Sequence, residues 1–273
     1  MKGIWKGIAY FILYFAITMI IQMLLSGVFC GVGVANGLNN ETLIMEYINN
    51  NFLGMTIISG ILTVFILYLV FKLRKKQVKQ EWKLNKCDVM SVVKASIVAF
   101  SFSFLFALFT YNMSIDNSQM ISKSVEYYNE IAPAFGFIMM ILNLLVIAPI
   151  AEEIALRGIV YTRVEKTSKA ITAIVVSSIL FGLMHFMAGG IVLVIGATLM
   201  AFVLGYIFYK YKSLWVCIMA HAVANLPEFI LYSKPDMEGY VFGMLIIVFA
   251  CMFIAGVSAI EKPTETSDSW RKQ

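Results

Sequence analysis

Apolar positions run through this chain in long blocks. They show neither the alternation of a half-buried strand nor the one-sided stripe of a surface helix. Eight blocks stand out, near 8–28, 52–71, 91–111, 134–155, 171–188, 191–209, 213–232 and 239–260, each nearly free of charge. About 20 apolar residues cross a bilayer as a helix, so the pattern predicts an all-α, polytopic membrane protein with about eight transmembrane helices. The fifth and sixth blocks are separated only by Ala188-Gly189-Gly190, which predicts two helices joined by a very tight turn. Pro227 and Glu228 interrupt the seventh block and predict a bend or break at its outer end. The first block is too long for the apolar region of a signal peptide and no A-x-A-like site follows it, so it reads as a first spanning helix that stays attached.

Charge placement adds an orientation. With Lys2 and Lys6 set in the cytoplasm, the cytoplasmic segments are 1–7, 72–90 with Lys94 at the helix mouth, 156–170, 210–212 and 261–273. They hold 19 of the 21 Lys and Arg residues, all but Lys123 and Lys234. The opposite segments carry Glu41, Glu46, Asp116, Glu126, Glu130, Asp236 and Glu238. A Lys/Arg bias over short loops sets topology, and this one predicts a cell-membrane protein with both termini cytoplasmic. The most basic loop, KLRKKQVKQEWKLNK at 72–86 with Trp82 inside it, reads as a positive-inside loop or as an interfacial helix on the anionic leaflet.

Composition strengthens this picture more than it changes it. The chain is 60% hydrophobic and 14% charged, with a mean hydropathy of +0.84; soluble domains carry about 25% charged residues. The net charge of +5 lies in topology-setting segments without interleaved aromatics, which argues against a nucleic-acid partner. Cys30, Cys87, Cys217 and Cys251 are widely and irregularly spaced, with no disulfide framework and no zinc knuckle. The expected partition is 1–130 (helices one to three and the loop 72–90), 131–232 (helices four to seven), 233–260 (helix eight) and a flexible tail at 261–273, all in one membrane domain.

Charges inside a bilayer are costly and are kept for pairing or function, so the polar residues within the spans form the candidate chemistry. They are Glu152, Glu153 and Arg157; His185; His221 with Asn225; and Glu228. The only two histidines of the chain both lie in predicted spans. Glu153 and Arg157 are four residues apart, as are Phe181 and His185, and His221 and Asn225, so each pair shares a helix face. Facing one another, three such helices would gather two carboxylates, an arginine, two imidazoles and an amide. A glutamate beside an imidazole can hold and deprotonate a water. A second imidazole and an amide can donate to a developing oxyanion. Ser177, Ser178 and Cys217 read as packing residues or weak nucleophile candidates. The rival chemistry is zinc held by Glu152, His185 and His221 with a water in the open position; against it, no HExxH is present and the ligands would come from three helices.

These residues resemble a known family. EEIALRG at 152–158 looks like the EExxxR motif of the CAAX protease and bacteriocin-processing (CPBP, or Abi) family, FGLMH at 181–185 like its F-x-x-x-H motif, and HAVAN at 221–225 like its H-x-x-x-N/D motif, in the same order. The likeness covers about 130–232, with 131–232 as the CPBP-type catalytic core. It implies an intramembrane endopeptidase of glutamate type, a family long labelled metalloprotease. The substrate would be a membrane-associated peptide or protein reached from the lipid bilayer, and no cofactor is implied, with zinc as the alternative. Carried over, Glu152 is the water-activating base and His185 helps to hold the water. Glu153 and Arg157 order the site, and His221 and Asn225 are oxyanion donors. The alternative within the family is a non-catalytic scaffold, a bacteriocin-immunity protein or a sensor-kinase regulator, working through a membrane-protein partner. One expectation conflicts internally: counted from the nearest basic residues, Glu153 and His221 lie about 13–15 Å deep but His185 about 24 Å. That predicts a fifth helix that starts above the membrane, is tilted or has a misplaced start.

Overall fold

The computed structural model describes residues 2–111, 119–132, 134–227 and 239–261. Among these residues the regular structure is all helical: α1 (Lys2–Ala35), α2 (Glu41–Asn50), α3 (Phe52–Leu73), α4 (Val78–Glu81), α5 (Val89–Tyr111), α6 (Gln119–Ile131), α7 (Phe135–Glu165), α8 (Ala170–Met184), α9 (Phe186–Tyr211), α10 (Leu214–Ala224) and α11 (Gly239–Glu261). Helices α1, α3, α5, α7, α9 and α11 are long and apolar enough to cross a membrane. They are apolar on all sides, and side chains such as Met23, Leu24, Phe65 and Ile247 point outward, as lipid-facing residues do. The protein is a multi-pass, all-α membrane protein.

Among the described residues six of the eight expected crossings are helices of spanning length, and the other two are short. The fifth and seventh predicted spans are α8, with 15 residues, and α10, with 11. At 1.5 Å per residue these reach about 22 and 17 Å, short of the ~30 Å hydrocarbon core. Each is interrupted by a single turn residue, and the interruptions carry chemistry: His185 separates α8 from α9, while His221 lies in the last turn of α10 and Asn225 caps it. Non-helical backbone is tolerated at membrane depth where protein surrounds it. Helix α10 ends at Ala224, Asn225 is a turn, and residues 226 and 227 are helical again, so the predicted break falls at Asn225 rather than at Pro227; Glu228 and the rest of the predicted seventh span lie outside the described residues. So do Asp116, Lys234, Asp236, Glu238 and the expected tail from 262 onward.

Helix α7 departs from expectation in the other direction. Predicted to end near 155, it runs to Glu165, and all eight residues of Ile154–Tyr161 are buried. The charges at 152, 153 and 157 suggested a helix mouth. Internal pairing lets the helix carry them through the core instead. Two of its stretches, Asn143–Ile147 and Ile154–Tyr161, are wound as π-helix, with i→i+5 bonding that is rare and concentrates at functional sites.

Helices α8 and α9 form a tight antiparallel hairpin. Gly182 packs on Thr198 and Gly205 on Ile174, pairs symmetric about position 190. The hairpin is centred on Gly190, where the spanning part of α9 (Gly190–Tyr211) begins, and its φ of +67° is backbone that glycine adopts freely, so the predicted tight turn is present. A Cβ at Gly182 would overlap Thr198 Oγ1 and approach Val194 O to 2.8 Å. Gly182→Ala therefore loosens the hairpin, by about 1–3 kcal/mol. A lower unfolding temperature that Thr198→Ala partly restores is the expected result; a change without that rescue would contradict the assigned contact.

The basic loop is not an interfacial helix. Only Val78–Glu81 is helical, and Trp82, 3% exposed, turns into the core. Its ring meets Phe71 edge-on at 5.7 Å, and its Cβ lies 3.4 Å from where a side chain at Gly158 would begin. The following residues tie to the start of α10: Leu214 N donates to Lys83 O at 2.9 Å, Asn85 Nδ2 to Lys212 O at 2.6 Å and Ser213 Oγ to Asn85 O at 2.8 Å. Glu81 pairs with Arg163 at 2.6 Å. Partial burial opposes its charge, but Arg163 and Lys166 hold its carboxyl below the usual range. The loop thus braces the underside of α7. At the opposite end α2 and α6 pack together over Leu53, Val125, Tyr128 and Met140.

Candidate active site

Glu153 and Arg157 are both 0% exposed. Arg157 Nη1 donates to Glu153 Oε1 at 2.9 Å and Nη2 to the Ala201 carbonyl of α9 at 2.9 Å. The guanidinium carbon also lies 5.1 Å from the Phe181 ring centroid. A charge so far from water is tolerable only when paired and hydrogen-bonded.

His221, 5% exposed, joins the same carboxylate: its Nδ1 is 2.8 Å from Glu153 Oε1. Glu153 Oε1 already accepts from Arg157, so the imidazole nitrogen is the donor, and Nδ1 carries the hydrogen. Nε2 is thereby turned toward Glu152 Oε2, 3.8 Å away. That separation is too long for a direct hydrogen bond. A water set to one side of the gap could touch both atoms. Glu152 keeps 17% of its side chain exposed.

His185 reaches this group through Phe181. Its ring centroid is 4.8 Å from that of Phe181, and the Phe181 centroid is 5.7 Å from that of His221. His185 Nδ1 lies 2.8 Å from Phe181 O. A carbonyl only accepts, so Nδ1 is the donor there and Nε2 the free acceptor. The depth conflict shrinks accordingly. Phe181, one turn before His185, is level with the Arg157 guanidinium and the His221 ring, and the His185 side chain folds back toward it, as helical side chains lean toward the N-terminus.

Asn225 Nδ2 donates to Leu144 O at 2.8 Å, an arrangement that follows from the first π-turn. Ala148 N–H is taken by Asn143 O. The i+5 partner of Leu144 O would be residue 149, a proline with no N–H. The carbonyl is left for the amide of Asn225, which holds one of its two N–H groups there and keeps the other. Asn225→Ala strands that carbonyl at a cost of about 1–3 kcal/mol. It should lower the unfolding temperature while leaving insertion intact; an unchanged melting curve would count against this bond.

The candidate nucleophiles stay apart from this chemistry. Cys217 is fully buried, with Sγ 3.7 Å from Leu204 O. Ser177 Oγ bonds back to Ala173 O at 2.8 Å, and Ser178 is fully buried. Among the described residues no three His, Cys, Asp or Glu side chains are grouped to hold a metal ion, and Glu152, His185 and His221 do not form such a set here. Sequence reasoning missed Tyr14. Gly3 and Gly7 of α1 pack on Thr167 and Val164 of the α7 end; continued along the antiparallel pair, that register sets the buried Tyr14 against the start of the second π-turn, within electrostatic reach of Glu152. No motif signals it, because α1 lies outside the region of resemblance.

The sequence profile of the type II CAAX prenyl endopeptidase Rce1-like family matches residues 134–227. That span holds every residue of the cluster except Tyr14. Over that third of the chain the protein is similar to the CPBP-type prenyl endopeptidases. The "Putative membrane peptidase YdiL" of Bacillus subtilis is 28% identical over 130 residues, covering 43% of this chain and 52% of that protein. An uncharacterized protein of Mycoplasma capricolum is 26% identical over 207 residues, 73% of this chain and 60% of that protein. The chain thus spans between about half and three fifths of the length of these curated relatives. No solved structure matches.

Proposed function

We propose that this protein is a CPBP-family intramembrane endopeptidase that hydrolyses a peptide bond in a membrane-associated peptide or protein with water activated by Glu152. The observation that carries the reading is the seat of His221, whose Nδ1 is held by a buried carboxylate while its Nε2 faces a second, partly exposed one.

In this mechanism the water lies between Glu152 Oε2 and His221 Nε2 and donates one hydrogen to each, with His185 bordering the site through its packing on Phe181. The water oxygen bonds to the scissile carbonyl carbon as its proton passes to Glu152. The remaining N–H of Asn225 donates to the oxyanion. Collapse breaks the C–N bond, and the leaving nitrogen takes the proton back from Glu152. Glu153 and Arg157 hold the imidazole in its working tautomer and do not exchange protons themselves. No step passes through a metal. The positive-inside distribution of Lys and Arg supports placing the basic ends of α1, α7 and α10 in the cytoplasm.

The test uses protein purified with chelator and incubated with a library of membrane-tethered peptides, products being read by mass spectrometry. Cleavage that persists in chelator and disappears in His221→Ala is expected. Cleavage that requires added zinc would overturn the metal-free mechanism, and an absence of cleavage across the library at full folding would favour a binding role.

A further inference from the structure

A second polar site lies at the basic end, away from the catalytic cluster. A cavity of about 590 Å³ opens between α1, α4 and the ends of α3 and α7. Six cations line it: Lys2, Lys6, Arg74, Lys76, Arg163 and Lys166. The one carboxylate there, Glu81, is paired with Arg163 at 2.6 Å and Lys166 at 3.4 Å. Arg74 Nη1 donates to Tyr10 OH at 2.8 Å. Lys2, Lys6 and Lys76 have no carboxylate within ion-pair distance among the described residues. Such an excess of positive charge in a concave site is unfavourable by itself and calls for an anion.

The lining of α1 says which kind. Positions 2, 6, 9 and 13 form one helical stripe and all border the cavity: Lys2 and Lys6 at the mouth, then Ala9 and Leu13 running down the helix. The stripe passes from cationic to apolar within about three turns. Trp5, 68% exposed beside it, is the residue type that marks a membrane–water interface. A free anion would use the mouth alone. A molecule with an anionic head and a hydrocarbon chain uses the whole stripe. We propose that this cavity binds the phosphate headgroup of an anionic phospholipid, with an acyl chain lying along Ala9 and Leu13. Basic pockets between spanning helices are a known physical basis for such recognition. The bound headgroup would clamp α1 to the end of α7, the helix that carries Glu152 and Glu153.

The test is a titration of the full chain in neutral detergent with phosphatidylglycerol, phosphatidylcholine or inorganic phosphate, read by unfolding temperature and by lipid retained in native mass spectrometry. Phosphatidylglycerol should raise the unfolding temperature saturably, while the other two leave it unchanged. Lys2→Gln/Lys6→Gln/Lys76→Gln should weaken apparent binding by on the order of a hundred-fold, at about five-fold per lysine. Lys79→Gln/Lys86→Gln/Lys169→Gln removes the same charge from the same end but outside the cavity and should change binding by less than about two-fold. An equal loss in that second triple variant would overturn the site in favour of diffuse attraction. An equal shift with phosphatidylcholine would overturn headgroup recognition, an equal shift with phosphate would overturn the lipid assignment, and no saturable shift would overturn the proposal as a whole.

Discussion

Glu152→Gln should leave the protein inserted and as stable as the parent while lowering peptide cleavage by about 10²–10⁴-fold, the range expected for a lost general base. The substitution keeps size and shape and removes only the ability to take a proton. Glu152 is the one carboxylate of the pair whose side chain retains exposure, and it faces His221 Nε2 across 3.8 Å rather than bonding to it, so little folding energy depends on its charge. The measurement is single-turnover cleavage of a membrane-tethered substrate beside a melting curve. Activity within about three-fold of the parent would remove Glu152 from the chemistry. An unchanged cellular phenotype at equal abundance would point instead to a non-catalytic scaffold role.

Arg157→Met should act on folding before it acts on catalysis. It leaves the Glu153 carboxylate, with no exposure and with Oε2 already lacking a partner, without its cation. Breaking one side of a buried pair costs about 3–5 kcal/mol, enough to deplete the protein from the membrane. Glu153→Gln/Arg157→Met removes both charges and should recover much of the abundance, although not the activity, because the His221 tautomer is no longer held by a carboxylate. Arg157→Lys should not restore the parent: an ammonium cannot span Glu153 and the Ala201 carbonyl as a guanidinium fork does. Abundance and unfolding temperature decide it, and an Arg157→Met protein that melts with the parent would show the pair to be dispensable.

These two variants differ because adjacent residues in one sequence motif have different surroundings. Spacing showed that Glu153 and Arg157 could pair and that Glu152 would point elsewhere, and the pair is formed. Spacing could not show that His221, rather than His185, is the imidazole facing Glu152. That depends on how far α8 and α10 extend before they stop, which no local pattern encodes. The π-turns were also hidden. Their signal, Pro149 five residues after Leu144, has meaning only once Asn225 is seen to fill the vacant donor position. Trp82 misled for a related reason: a tryptophan in a basic loop suits a membrane interface, and only the gap beside Gly158 makes burial the better place for it.

The sequence by itself determined the class of molecule, because bilayer thickness converts the length of an apolar block directly into a helix. It picked out Glu152, Glu153, Arg157 and His221 as well, though not Tyr14, since charges and imidazoles inside apolar blocks are too costly to be incidental. The tertiary structure alone decided which helices stop short, which imidazole each carboxylate meets, and how α1 closes both the site and the basic cavity. Those outcomes rest on contacts between residues far apart in the chain, such as Gly3 against Thr167 and Tyr14 against the start of the second π-turn, where packing and desolvation, not local periodicity, set the energy.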